Sequence, residues 1–227
     1  AYQIDIDDRI SLSSNINASS PTVRAYLVSK GITDTNFSTV RFFNNASNTR
    51  TRGVDLVANY QWQNLPYGEL TTSLAYNFNR NKVTDVDKNP EILNALGVNL
   101  TRLDRREQYG LLAGSTPEHK FSLANDYKIG NFGINTNITR YGSFETYSNS
   151  GAASDQKFSA KWLLDLALTY QLNNWKFTVG GDNITNVYPD KDVYDINKPT
   201  GGSLQYSQFS PFGFNGAFYY GKINYKW

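Results

Sequence analysis

The 227-residue chain has a net charge of only +2, is 39% hydrophobic and contains no cysteine. Disulfides and thiolate metal sites are therefore excluded, and the dispersed basic residues give no nucleic-acid footprint. No apolar run approaches the ~18 residues that a membrane helix needs, so helical spans are excluded as well.

Read for a period of two, in which successive side chains point to opposite faces, the sequence yields eight strand-like segments. The first runs from Tyr2 to about Ser14 and sets Tyr2, Ile4 and Ile6 against Gln3, Asp5 and Asp7. A long polar stretch follows, up to about Thr39. The second strand, about Val40 to Trp62, places Val54, Leu56, Ala58, Tyr60 and Trp62 opposite Asp55, Val57, Asn59 and Gln61. Gly53 within it predicts a bulge or bend. The Asn64 to Gly68 turn reverses the chain into a third strand, Glu69 to Arg80, with Leu70, Thr72, Leu74, Tyr76 and Phe78 on one side. A second long irregular segment spans Asn81 to about Thr116.

The fourth strand, Glu118 to Ile129, turns at Gly130-Asn131 into a fifth, Phe132 to about Phe144. A Ser/Gly/Asn-rich loop to Lys157 follows. In the sixth strand Leu164, Leu166, Leu168, Tyr170 and Leu172 face one way, while Asp165, Ala167, Thr169 and Gln171 face the other. Asn173-Asn174 turns it into the seventh, Trp175 to Tyr188. A loop to about Pro211 leads to the closing strand, whose uncharged face is Ala217, Tyr219, Gly221, Ile223, Tyr225 and Trp227.

Half the residues of such strands are polar, so a mean hydropathy of −0.53 does not argue against a membrane. The 15% aromatic content, with 16 Tyr and 13 Phe, has a physical cause in the aromatic girdles of barrel strands. Short and long connections alternate, and several structureless connections above ~12–15 residues are uncommon in compact soluble domains. Outer-membrane barrels show this asymmetry as short periplasmic turns and long extracellular loops. The fold class expected is all-β, with about eight antiparallel transmembrane strands. Without methionine or a signal peptide, the chain is expected to be a processed protein or a piece of a larger one.

Three stretches carry a family resemblance. FFNNASNTRTRGVDLVANYQW (Phe42 to Trp62) resembles the strand-opening signature of TonB-dependent outer-membrane receptors. TPEHKFSLANDYKI (Thr116 to Ile129) is similar to their Pro-x-His strand. LLDLALTYQL followed by WKFTVGGDNITNVYPD resembles their paired strands ending in an Asn-hydrophobic-Thr/Phe-Asn-x-Tyr element. The closing strand with its terminal aromatic completes the order.

The resemblance implies that residues 1–227 are the C-terminal part of a 22-stranded barrel, without the plug domain and the N-terminal strands. It implies active import of a scarce solute, such as a siderophore or saccharide, across the outer membrane of a Gram-negative bacterium. The implied partners are outer-membrane lipid and lipopolysaccharide, the rest of the barrel and its plug, TonB through that plug, and a surface lipoprotein or other outer-membrane protein. Nucleic acid is not among them. The alternative is a self-contained eight-stranded barrel with a structural or adhesive role.

Neither an enzyme nor a cofactor is expected. His119 is the sole histidine, and polar packing at a strand end suits it better than catalysis. No metal site is predicted, since the acidic pairs Asp7-Asp8 and Asp85-Asp87 lack calcium-loop spacing. The Arg102-Leu103-Asp104-Arg105-Arg106 cluster reads as an anion-attracting patch, for a ligand or lipopolysaccharide phosphate, or more plainly as a solvated loop with internal ion pairs. Candidate ligand contacts are Arg102 and Arg105 together with the loop aromatics Tyr109, Tyr147, Tyr194 and Tyr206, whose flat faces suit sugar rings or planar chelates. Asn- and Tyr-rich loops tilt the substrate toward saccharide. Tyr219, Ile223, Tyr225 and Trp227 are assigned to barrel closure.

Overall fold

The computed structural model describes residues 1–34, 36–63, 65–98, 100–194 and 204–227. Its frame is one antiparallel sheet of eight strands in the order β1-β4-β5-β6-β7-β10-β11-β12. These are β1 (Tyr2–Leu12), β4 (Phe43–Trp62), β5 (Glu69–Val86), β6 (His119–Ile129), β7 (Phe132–Tyr141), β10 (Lys161–Leu172), β11 (Trp175–Asp182) and β12 (Phe218–Tyr225). Two small ribbons, β2 (Ile16–Asn17) with β3 (Thr39–Val40) and β8 (Phe144–Thr146) with β9 (Gln156–Phe158), lie in the long connections. No described helix is long and apolar enough to cross a membrane.

The register sorts the two faces. Leu56↔Tyr76, Tyr76↔Phe121, Leu168↔Ile134, Leu168↔Val179 and Phe177↔Ile223 are directly opposite one another, so apolar side chains share one convex face. Many remain open: Leu56 is 53% exposed and Val179 60%. An apolar surface of this breadth on a water-soluble protein would aggregate, so it requires lipid. Aromatic pairs edge it at the short-turn end, where Tyr60 meets Trp62 and Trp175 meets Tyr225 at centroid separations of 5.0 and 4.7 Å. At the loop end Phe78 packs on His119 and Phe121 on Trp162. From Trp62 up to Val54 is one membrane thickness for a tilted strand.

The buried apolar residues lie elsewhere, in a cap at the loop end. Ile16, Val23 and Val98 form its centre, with Leu27, Phe42 and Leu93 packed around them. Both stretches taken as irregular in the sequence contribute helices to it. Helix α1 (Pro21–Ser29) starts with proline in its first turn and turns Val23 and Leu27 inward, four residues apart. Short α2 (Glu91–Ala95) and a nine-residue π-helix, Arg106–Gly114, occupy the second stretch. Their sparse apolar residues gave no long periodic run.

Several predicted boundaries shift. Strand β5 continues six residues past Arg80 to Val86, because Arg80 and Lys82 pair with Arg52 and Arg50 above the apolar band. The predicted seventh strand ends at Asp182, where Asn183 takes a positive φ. The segment β1 pairs with the upper part of β4 (Tyr2↔Gly53 to Leu12↔Phe43), so it stands wholly above the band. There its apolar set, Tyr2, Ile4 and Ile6, shares the concave face with Thr51 and Thr49. Gly53 is not a bulge; its missing side chain makes room for the Tyr2 ring. The irregularities fall instead beside Asp8, whose φ is 54°, and between Asn48 and Thr49.

The short turns match their sequence signals. Ile129↔Phe132 and Leu172↔Trp175 close two-residue hairpins, with Gly130 (φ 53°) and Asn173 (φ 51°) supplying the left-handed residue. Asn64 of the third turn lies outside the described residues. In that turn Gly68 has a φ of 109°, and an added Cβ would strike the Lys128 carbonyl oxygen. Gly68→Ala should therefore lower stability by at least about 2 kcal/mol, read as an earlier urea midpoint with an unchanged slope. A change below about 0.5 kcal/mol would contradict the packed turn.

Among the described residues the eight strands do not close on themselves, since β1 and β12 lie at opposite ends of the order. This counts against the alternative of a self-contained eight-stranded barrel. A closed cylinder of that size fills its lumen with packed side chains, whereas Val57 on the concave face is 69% exposed.

Candidate functional site

The concave wall offers mostly neutral hydrogen-bonding groups. Thr71, Ser73, Asn135 and Asn137 line one depression of about 340 Å³ with Asp126, Asp165 and Tyr220. A second, of about 540 Å³, lies higher along Asp55, Asn77, Lys120, Thr139 and Tyr141. Alternation in β4 to β10 places these residues opposite the apolar set. Cross-strand bonds hold several in place: Asn77 Nδ2 donates to Asp55 at 2.6 Å, and Asn137 Nδ2 donates to Asp165 at 3.1 Å.

Above the wall, three of the predicted loop residues come together. The Arg105 guanidinium lies over both the Tyr109 and the Tyr147 ring, 5.8 and 5.3 Å from their centroids, and the two rings are 5.9 Å from each other. It also forms a two-pronged ion pair with Asp155, its second donor lying 2.5 Å from Oδ2. The Ser148 amide donates to the same carboxylate at 2.9 Å. Gly114 permits the arrangement, because a Cβ there would press on the Tyr147 ring and the Tyr109 carbonyl. The π-helix is thus bolted to the β8–β9 ribbon by a cation gripped on three sides. Its donors are engaged within the protein, which leaves Tyr109, 48% exposed, as the open member of the trio.

Arg102 stands apart, over the Phe42 ring at 5.4 Å with its Nε donating to Asn44. Tyr206 stacks between Tyr188 (6.3 Å) and Phe214 (5.5 Å) in the last loop. Tyr194, half-buried, donates its amide to Asp192 and does not join that stack. Tyr219, Ile223 and Tyr225 lie on the convex face against Gly181, Phe177 and Trp175, while Trp227 follows the strand and is 99% exposed. His119 accepts or donates a 2.8 Å bond with Tyr76 Oη at the girdle.

A buried network was invisible in the sequence. The carboxylate of Glu107, 7% exposed, accepts the Leu12 amide and faces Arg41 at 3.5 Å, while Arg41 also reaches Asp104 at 3.6 Å and the Ser13 carbonyl at 2.7 Å. Arg41 lies 63 to 66 positions from its acidic partners, so no local pattern links them.

The Asp155 carboxyl is held below its ordinary value of 3.8, first by the Arg105 hydrogen bonds, which outweigh the opposing effect of burial. Burial, then the nearby Glu145 charge, pushes Tyr147 up. Because the folded carboxyl is the stronger acid, its stabilising effect is complete above pH ~4 and disappears as pH falls through the folded value. Amide protection factors across residues 145–157, corrected for the intrinsic pH dependence of exchange, should therefore be at their full value at pH 5 and fall once the pH drops below the ordinary carboxylate value of 3.8. Asp155→Asn should remove that acid step and show low protection factors throughout; a variant with the wild-type profile would exclude the bolt.

The barrel-wall pattern coincides with a known family. A family model described as TonB dependent receptor-like, beta-barrel, matches residues 1–184. The chain belongs to that family. No curated protein sequence gives a significant match. Among solved structures, the outer membrane transporter YddB from Escherichia coli superposes with a TM-score of 0.58 at 12% identity, over 99% of this chain and 29% of that one. Pseudomonas aeruginosa FpvA bound to heterologous pyoverdines gives 0.51 at 13% identity, over 98% of this chain and 24% of that one. At these identities the likeness speaks for the fold alone. As a TonB-dependent receptor-like barrel, the chain spans under a third of either receptor's length.

Proposed function

We propose that this chain is part of the wall and outer cap of a TonB-dependent active transporter in a Gram-negative outer membrane, importing a scarce polar solute. The observation that carries the reading is the open eight-stranded sheet, greasy on its convex face, polar on its concave face and, among the described residues, unpaired at both edges. An open sheet edge does not persist in lipid. Further strands must continue beyond β1 and β12 to close a wider barrel, with a plug inside it that couples to TonB. The short turns then face the periplasm and the capped loops face outward.

The concave wall favours a neutral, hydroxyl-rich solute of the saccharide class over an anionic chelate. Its lining is mainly amide and hydroxyl, its carboxylates (Asp55, Asp126 and Asp165) outnumber its one cation, Lys120, and Arg105 spends its terminal donors on Asp155. Tyr109 and the Tyr206 stack are the ring faces open to such a ligand.

Two measurements test this. Cells lacking the intact receptor should lose uptake of a radiolabelled oligosaccharide from a panel that also contains ferric siderophores, and collapsing the proton-motive force should stop it in wild-type cells. Uptake that survives the collapse would exclude TonB coupling. A folded, heat-modifiable monomer of 25.6 kDa in native outer membranes would exclude the larger barrel.

A further inference from the structure

The convex face is apolar except at its middle. There Thr72 of β5, Asn125 of β6 and Thr136 of β7 stand directly opposite one another in one row. The adjoining rows are apolar, with Leu74, Leu123 and Ile138 above and Leu70, Tyr127 and Ile134 below. Depth follows from the strand limits. Asn125 lies four residues below Phe121, which packs on Trp162 in the upper girdle, and four above Ile129 at the hairpin turn. Thr136 lies midway between Phe132 and Arg140, whose guanidinium sits over the Trp162 ring. An amide and two hydroxyls are thus set at the centre of the apolar band, where polar side chains are costly and rare.

The protein satisfies this group only in part. Trp62 Nε1 donates to Thr72 Oγ1 at 3.0 Å, the Thr72 hydroxyl donates to Asn125 Oδ1 at 2.8 Å, and Asn125 Nδ2 donates to Thr136 Oγ1 at 3.4 Å. The amide nitrogen carries a second hydrogen and the Thr136 hydroxyl carries its own. Among the described residues neither has an acceptor, and lipid tails offer none.

We infer that this patch is the centre of a contact with a second copy of the receptor in the plane of the membrane. Copies inserted the same way, and related by a two-fold axis along the membrane normal, present Asn125 to Asn125 at one depth. A carboxamide suits that symmetry, because each can donate to the other's oxygen and accept in return. Asn125 has both capacities to spare: a free amide hydrogen, and a second lone pair on the oxygen that takes the Thr72 bond. The short threonine side chains on either side let two walls approach closely, and the adjoining leucines and isoleucines pack around them. An unrelated membrane protein would have to carry an acceptor at this depth by coincidence, whereas a second copy has one there by symmetry. The inference rests on the membrane reading proposed above, and it concerns assembly rather than the solute.

The test uses the intact receptor, taken from outer membranes in native lipid discs with a styrene–maleic acid copolymer and weighed by mass photometry. Discs holding two copies should dominate, and Asn125→Leu should lower the ratio of two-copy to one-copy discs about tenfold or more. Asn125→Gln, which keeps donor and acceptor, should retain most of that ratio, and Ile223→Ala on β12 should leave it unchanged. Heat-modifiable migration reports folding. As a second measurement on folded protein, Leu123→Cys should form a disulfide between copies in membranes oxidised with copper phenanthroline, while Ile223→Cys should not. One-copy discs for the unaltered receptor, or an equal loss in Ile223→Ala, would overturn the contact. So would an unchanged ratio in Asn125→Leu, which would leave Asn125 a role within its own sheet. A companion of different mass would overturn the second-copy assignment. Fractionation of the receptor away from the outer membrane would defeat the proposed function, a result separate from these arms.

Discussion

Leu168→Arg should cost about 2–4 kcal/mol, while Ala167→Arg, one residue earlier, should cost less than about 1. Leu168 lies between Ile134 and Val179 in the middle of the convex band and is 46% exposed. That exposure is what a bilayer would cover, so a guanidinium there must leave water or drag it into hydrocarbon. Ala167 points into the concave depression between Asn135 and Gly180. A long cation there finds water, and Asp126 lines the same hollow. Urea unfolding of the intact receptor in lipid vesicles, followed by tryptophan fluorescence, measures both. Equal costs would mean that both faces see the same solvent, which no membrane barrel permits.

That contrast was legible from the sequence because a period of two needs only local information. The alternation of Leu164, Leu166, Leu168, Tyr170 and Leu172 with Asp165, Ala167, Thr169 and Gln171 names both faces without a structure. The two-residue turns at Gly130-Asn131 and Asn173-Asn174 were legible for a similar reason, since a left-handed residue has few suppliers. The cap was not. Its core joins Ile16 and Val23 to Val98, some 75 positions or more away, and its helices carry too few apolar residues to announce a period. The last six residues of β5, from Asn81 to Val86, were read as loop because their charges, Lys82 and Asp85, look like solvent exposure when their partners on β4 are unseen. Arg105, Tyr109 and Tyr147 were singled out by residue type, but only the distant Asp155 decides that the guanidinium is spent within the cap.

The Asn183-Ile184-Thr185-Asn186-Val187-Tyr188 element shows how a pattern noted for resemblance acquires a physical reason. Asn183 sits at φ 50° and is 7% exposed. Its side-chain amide donates to the Val187 carbonyl at 2.8 Å, and its carbonyl oxygen accepts the Val187 amide at 3.0 Å. The side chain thus copies one rung of a strand ladder and folds the exit of β11 back on itself. Its own amide is anchored by Asp165 at 2.8 Å. Asn186, at φ 55°, then accepts the Ala217 amide, delivering the chain to β12.

Asn183→Ala leaves both polar groups of Val187 without partners and puts a Cβ-bearing residue with no compensating bond at positive φ, so it should cost about 3–5 kcal/mol. Asn183→Gly relieves the backbone but not the lost bonds, and Asn183→Asp keeps the acceptor while losing the donor. Stability in vesicles should therefore fall in the order Asn, Asp, Gly, Ala. Glycine as stable as asparagine would show that only the backbone angle matters at this turn. Alanine as stable as asparagine would show that β12 is positioned by its ladder to β11 alone.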